Sequence, residues 1–492
     1  GSYLSDADAQ TLISRVLAGI LNGSGGWKGK LGGIDRSTPA IIEASPMITA
    51  YPNRPTMIYV GAMDGMLHAI CAEAKGACPA AGRELWAFIP RTQLPYLRLN
   101  TARIDGAPKV ADVYDDFTPS DGIANSEWRT VLTFQSGNGN PGDPARAPAA
   151  VAIDVSNPAS PVILWERTTR ATRGTVEQGA GLGVAMGKAR VGSQETNLTF
   201  LQTNNGGTGG AGFWLGAVAT ATGTLAWQAT HVYPAPRSSA NPPVPASGIP
   251  GGVSIIGTDS SGLVSRVVAP SLYGALLVYD AGAGSNPLGG SKALIQLTTD
   301  HHPIGAPPTI YESVSSGRLY AIAVSGGYID PIGSSWSPSG QTQYAISAAI
   351  EASPSNAPVT ESATANTDRA FVQSIGTDNR GTAQAVVAGD EVFVLSDTSD
   401  VNNAATYGAT ATGSMRRFRL TTGVQIGTAV TIAGGGSSVD VVAATGEVHI
   451  GSGTGAQKIA AASTGGGVFN STGRLIEHDS VAELRRSLWV SG

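Results

Sequence analysis

The sequence predicts an all-β protein, a β-propeller with seven modified blades as the central count in a range of six to eight. Three observations predict it. The 492 residues include 65 glycines and 29 prolines, while charged residues make up only 14%, against roughly 25% in an ordinary globular domain. Beyond Lys30, helical periodicity gives way to short β-rich runs bounded by Gly, Asn, Asp and Ser. Those runs repeat one plan, strand, Asp-Gly or Thr-Gly turn, strand, at diverged spacings of roughly 30 to 80 residues, as blades with uneven insertions would. A hydrophobic fraction of 41% supplies a core and excludes a disordered chain.

The first element is a helix. Ser5-Asp6-Ala7-Asp8 reads as an N-cap with acidic residues in the first turn. Leu12, Ile13, Val16, Leu17, Ile20 and Leu21 then recur at helical spacing until Asn22-Gly23 stops the pattern. The polar face lacks a basic stripe, so this amphipathic helix is expected to dock on the protein and not on a membrane. Gly1-Ser2 has the look of a cloning remnant, so the chain reads as a C-terminal fragment of a longer protein. Residues 1–30 form the remnant, helix and linker, and 31–492 the propeller.

The blade strands follow in order. Ile58 to Gly61 leads through Asp64-Gly65 into Leu67 to Ile70, and Gly82-Arg83-Glu84-Leu85-Trp86 closes the unit. Val151 to Asp154 with Leu164-Trp165 repeats the plan, as does Trp214 to Ala217 through Thr222-Gly223 to Trp227. Further echoes lie at Val267 to Asp280, Leu319 to Tyr328, Glu391 to Asp397 and Arg417 to Gly423. Each small sheet must stack on its neighbours to bury both faces. Two linker-like loops interrupt the series: Tyr233 to Pro250, with six prolines, and the Ser/Ala/Thr-rich run from Ala348 to Ala370.

Cys71 and Cys78 are the two cysteines, seven positions apart in CAEAKGAC between two strand-like runs. One pair across a hairpin loop is read as a disulfide, which implies an oxidising compartment, the periplasm or the cell exterior. A pair of reduced, buried thiols is the alternative. Net charge is −5 and no Lys/Arg run appears, so nucleic acid is not an expected partner. No stretch reaches 18 consecutive apolar residues, so the fragment carries no transmembrane helix.

Catalytic patterns are sparse. The G-x-G-x-x-G string at Gly137 to Gly142 runs into Asp143-Pro144 and not into a helix, which removes the helix N-terminus that a phosphate needs. His301 and His302 are adjacent and would face opposite ways in a strand. Asp112, Asp115, Asp116 and Asp121 gather before Trp128 and could supply a glycosidase carboxylate pair, though a solvated turn explains them more simply. Two loops have the oxygen-rich composition of a calcium site. One is Asp259-Ser260-Ser261-Gly262; the other holds Asp397, Ser399, Asp400, Asn402 and Asn403. Asp259 is the metal candidate of the first loop, and Asp397, Asp400 and Asn402 those of the second.

Several runs together resemble a known family. Leu31-Gly32-Gly33-Ile34-Asp35-Arg36-Ser37-Thr38-Pro39 resembles the entry to the C-terminal domain of PilY/PilC-type type IV pilus proteins, and Tyr59-Val60-Gly61-Ala62-Met63-Asp64-Gly65-Met66-Leu67-His68-Ala69 is similar to one of their blades. Glu84 to Pro90, Asp105 to Pro108 with Asp112-Val113-Tyr114, Pro303 to Pro307 and Ser325 to Tyr328 continue the likeness in order, with a terminal echo at Leu488-Trp489. The resemblance implies a seven-bladed modified propeller at the tip of type IV pili or on the outer membrane, exported through the periplasm. It implies roles in pilus assembly, surface adhesion and twitching motility, with minor pilins and a host or abiotic surface as partners. The family's calcium loop, laid onto this chain, falls on Gly257, Asp259, Ser261 and Ser265, so three of four acidic ligands are replaced.

The expected function is therefore a non-enzymatic, pilus-associated binding and assembly domain with no resident cofactor beyond a degenerate calcium loop. The alternatives are a periplasmic quinoprotein-like propeller enzyme, against which stands the non-adjacent Cys71 and Cys78, and an outer-membrane assembly propeller.

Overall fold

A computed structural model describes residues 7, 10–11, 14, 31–34, 37–97, 102–123, 125–137, 149–168, 183–202, 212–232, 252–257, 262–271, 274–285, 295–296, 304–313, 315–326, 342–350, 369–377, 379–381, 383–398, 412–433, 436–442, 447–452 and 455–459. Of the expected N-terminal helix, Ala7, Gln10, Thr11 and Ser14 are described; they are helical, and the Thr11 hydroxyl donates back to the Ala7 carbonyl at 2.8 Å. The remainder of that helix lies outside the described residues.

The chain divides into two compact units. One comprises Gly1–Lys188, Gln194–Gly207 and Trp214–Thr230; the other comprises Ala189–Ser193, Thr208–Phe213 and His231–Gly492. The first holds two antiparallel four-stranded sheets and the greater part of a third. They run β1 (Ala40–Ile42), β2 (Met57–Gly61), β3 (Leu67–Cys71) and β4 (Glu84–Phe88); then β5 (Lys109–Asp115), β6 (Glu127–Gln135), β7 (Ala149–Asp154) and β8 (Val162–Thr168); then β9 (Ala185–Val191), β10 (Gln194–Gln202), β11 (Gly212–Ala219) and β12 (Leu225–Val232).

The second unit continues with β13 (Ser254–Gly257), β14 (Val264–Pro270), β15 (Ala275–Asp280) and β16 (Ile295–Gln296), followed by β17 (Thr309–Glu312), β18 (Leu319–Val324), β19 (Thr342–Ala349) and β20 (Arg369–Thr377). Next come β21 (Arg380–Gly381), β22 (Val386–Ala388), β23 (Glu391–Asp397), β24 (Thr412–Arg419) and β25 (Val430–Ala433), with β21 and β22 both pairing β23. A three-stranded sheet, β26 (Gly436–Val442), β27 (Glu447–Ser452) and β28 (Gly455–Ile459), ends the described chain. Apart from the β21–β25 sheet, where two short strands share β23 as partner, the sheets are antiparallel meanders of consecutive strands, so the all-β, blade-type architecture read from the repeats is correct. The run from Ala348 to Ala370 is shorter as a loop than its composition predicts. Ala348 and Ala349 end β19 and Arg369 and Ala370 begin β20, because these alanines are buried.

The low charge follows from burial on both faces of the middle strands. In β7, Ala149, Val151 and Ile153 pack into one core cluster and Ala150 and Ala152 into another, the alternation a strand imposes. β18 repeats this, sending Ala321 and Ala323 one way and Tyr320, Ile322 and Val324 the other. In β23, Val392 and Val394 oppose Phe393 and Leu395. Fully burying each Val, Leu, Ile or Phe stabilises by about 1.5–3 kcal/mol, so a charge at any of these positions would be strongly unfavourable.

Two devices recur where the chain passes between neighbouring sheets. A serine after the second strand closes the next connection: Ser136, Ser271 and Ser325 each accept, at the hydroxyl, the amide of Ala149, Ala275 or Tyr344, at 2.9–3.0 Å. Their carbonyls then accept the incoming amides of Asp105, Ile304 and Gly381. The second device uses the tryptophans. Trp86 Nε1 donates to the Pro158 carbonyl and Trp165 Nε1 to the Thr220 carbonyl, both at 2.8 Å. The Leu-Trp echo in the sequence is therefore a clasp from one sheet's last strand to a turn of the next. At Thr222-Gly223 the clasp needs glycine twice over: φ is +70°, and a Cβ there would lie 2.7 Å from Trp165 Cγ.

Candidate functional site

The two longest family-like runs fold against each other. The amide of Gly61 donates to Ser37 Oγ at 2.8 Å, Met63 N donates to the Gly33 carbonyl at 2.8 Å, and Gly32 N donates to Asp64 Oδ2 at 2.6 Å. Asp64 sits in the tight β2–β3 turn because its Oδ1 accepts Met66 N at 3.0 Å while Gly65 takes a positive φ of 83°. No side chain fits at Gly32, where a Cβ would stand 2.6 Å from Asp64 N.

His68, on β3, completes this cluster. Its Nε2 lies 3.0 Å from Asp64 Oδ2 and its Nδ1 3.5 Å from Glu84 Oε2, with the imidazole 1% exposed. Burial alone pushes His68 down. The bond and charge of Asp64, aided by Glu84, outweigh it and hold His68 above its ordinary value. The cluster is an internal latch; with both carboxylates turned to the imidazole, its chemistry is positional.

Cys71 and Cys78 are bonded to each other, with Cα atoms 5.7 Å apart. Their loop is pinned to Thr56 by its own Glu73, whose Oε1 accepts both Thr56 N and Thr56 Oγ1 at 2.8 Å; those bonds hold its carboxyl below the usual range.

Of the calcium candidates, Asp259, Asp400 and Asn402 lie outside the described residues. Asp397 is described, at the end of β23, where its Oδ1 takes a bond from Arg380 Nη2 at 3.1 Å and both side chains are largely buried. In the first loop, Ser265 Oγ donates to the Ile256 carbonyl at 3.2 Å, beside a register shift at Ile256/Gly257. Among the described residues no group of three or more His, Cys, Asp or Glu side chains is placed to hold a metal ion. His301 and His302 lie outside those residues, as does the glycine string beyond Gly137.

The four clustered aspartates do not converge. Asp112 Oδ1 accepts Thr130 Oγ1 at 2.6 Å on one face of the β5–β6 pair. Asp115 Oδ2 meets Asn197 Nδ2 at 3.0 Å, while Asp116 and Asp121 accept the amides of Thr118 and Ile123 in their own turn. Sequence reasoning overlooked Arg54, which is 2% exposed and donates to Thr130 Oγ1 and to the Glu43 carbonyl. Arg54 thus ties the first sheet to the second through the same threonine that Asp112 holds. In Pro-Asn-Arg-Pro it carries no periodic signal.

No protein-family model matches the chain. A Xylella fastidiosa type IV pilus biogenesis factor PilY1 homolog is 34% identical over 124 residues, 24% of this chain and 8% of that protein. Type IV pilus biogenesis factor PilY1 of Pseudomonas aeruginosa PAO1 is 28% identical over 203 residues, 36% of this chain and 15% of that protein. The matched regions thus span less than a sixth of these relatives. The crystal structure of the P. aeruginosa PilY1 C-terminal domain superposes with a TM-score of 0.57 at 16% identity, covering 83% of this chain and 93% of that domain.

Proposed function

We propose that this chain, a PilY1-type C-terminal domain by sequence and fold, acts in type IV pilus biogenesis as a non-enzymatic binding and assembly domain. The observation that carries the reading is the sequence likeness to two PilY1 proteins. The latch among Gly32, Ser37, Gly61, Asp64 and His68 supports it, since the family-like runs are then explained by folding and not by catalysis. On this reading the domain works at the cell surface or the pilus tip, engages minor pilins, and contributes to adhesion on host or abiotic surfaces and to twitching. A calcium loop centred on Asp259, or on Asp397, Asp400 and Asn402, is at most vestigial.

The test is deletion of the segment encoding residues 31–492 from the chromosomal gene, with surface pili counted by microscopy and twitching measured on agar. Loss of surface pili or twitching, restored by complementation, is the expected result. Normal piliation and motility would overturn the reading.

A further inference from the structure

The β5–β6 hairpin overhangs its sheet. Along β6 the last six residues are buried but Glu127 and Trp128 are exposed, and Tyr114 pairs with Trp128 in register across the hairpin. The two rings lie 5.3 Å apart at 44° and are 50% and 41% exposed, with Ile123 of the connecting turn 63% exposed. Side chains of this size left open together mark an interaction surface and not packing.

The surrounding charge is one-sided. Between Asp112 and Arg129 the hairpin carries Asp112, Asp115, Asp116, Asp121 and Glu127 against Arg129 alone. Arg129 is already engaged by Glu127 and Asp154 and lies 4.7 Å over the Phe117 ring. The turn carboxylates are fixed in place by the Thr118 and Ile123 amides. We infer that this tip docks a protein segment bearing lysine or arginine, its cationic heads over the Tyr114 and Trp128 rings and its charge answered by Asp116 and Asp121. A neutral sugar would also stack on the rings, but it would gain nothing from the carboxylate excess. The inference goes beyond the pilus reading and is read on the purified chain, so either can fail alone.

The probe is a fluorescently labelled twelve-residue peptide alternating Gly with Lys and Arg, followed by anisotropy at low and physiological salt. Trp128→Ala and Tyr114→Ala are each expected to weaken binding at least tenfold, while Trp128→Phe, which keeps a ring, retains most of it. Asp116→Asn with Asp121→Asn preserves the oxygens that cap the turn, and is expected to weaken binding and to flatten its salt dependence. Unchanged affinity in the two alanine variants would overturn the inference, because net negative charge alone would then account for binding. Trp128-dependent binding of neutral oligosaccharides without binding of the peptide would overturn it in favour of a glycan surface.

Discussion

Asp64 in the β2–β3 turn and His68 on β3 are held 3.0 Å apart, and the same carboxylate takes the amide of Gly32 from the chain that enters the first sheet. One side chain thereby fixes a turn, a histidine and the incoming segment. Removing it leaves a buried imidazole and the amides of Gly32 and Met66 without this acceptor. Asp64→Ala is expected to cost about 3–5 kcal/mol, as breaking a buried ion pair does. Asp64→Asn keeps acceptor capacity at the amide oxygen and should cost less. Urea unfolding of the two variants, compared at equal slope, checks the order.

The same pair makes stability depend on pH. Because the folded value of His68 is raised, its contribution is fully present below the ordinary histidine value of about 6.5 and is lost as pH rises through the folded value. Wild-type unfolding free energy should therefore fall on alkalinisation relative to His68→Gln, whose difference from wild type narrows as pH rises. A difference that is constant from acid to alkaline pH would remove the latch as a titrating unit.

The tryptophan clasp predicts a second pair of effects. Trp165→Phe leaves the Thr220 carbonyl without its donor and should destabilise by about 1–3 kcal/mol. Gly223→Ala meets both the left-handed backbone, costing about 1–2 kcal/mol on its own, and the Trp165 ring. Its loss should exceed that backbone figure, and combining it with Trp165→Ala should recover part of it. Thermal and urea unfolding of the double-mutant cycle reads the coupling.

These devices show why the strands were legible and the joints were not. Strand and turn are local: continuous apolar runs such as Ala149 to Ile153 and the Thr-Gly pair at 222–223 declare themselves within a few residues. The Leu-Trp echo was visible as a repeat, but its partners are 72 and 55 residues away, a separation at which no periodicity survives. Arg54 was invisible for the same reason. The aspartates at 112 to 121 were legible in composition as a turn-rich segment, and Asp116 and Asp121 do cap their own turn, while Asp112 and Asp115 go to separate partners.

The disulfide is expected to be a modest staple. A loop closed between Cys71 and Cys78, seven apart, restricts the unfolded chain by only about 2.5 kcal/mol in the entropy model, and Glu73 already ties the loop to Thr56. The Cys71→Ala, Cys78→Ala double variant should therefore fold, with a lowered midpoint and the native far-ultraviolet spectrum. Failure of that variant to fold would show that the loop anchors far more than its own hairpin.

Calcium gives the last prediction, and it turns on Asp397. The carboxylate that composition offered as a ligand is bonded to Arg380, and both groups are largely buried. Recruiting it to a cation would break this largely buried ion pair, at a cost of several kcal/mol, before any coordination is gained. The first loop brings Gly257 and Ser265 where the family-like pattern calls for carboxylates, and a serine hydroxyl is a poor substitute for an anionic oxygen on a hard cation. A calorimetric calcium titration of the purified domain is expected to be flat, and Asp397→Asn is expected to lower stability equally with and without added calcium. A tight, saturable heat that disappears in Asp259→Ala or in Asp400→Ala would instead place a working site in one of those loops.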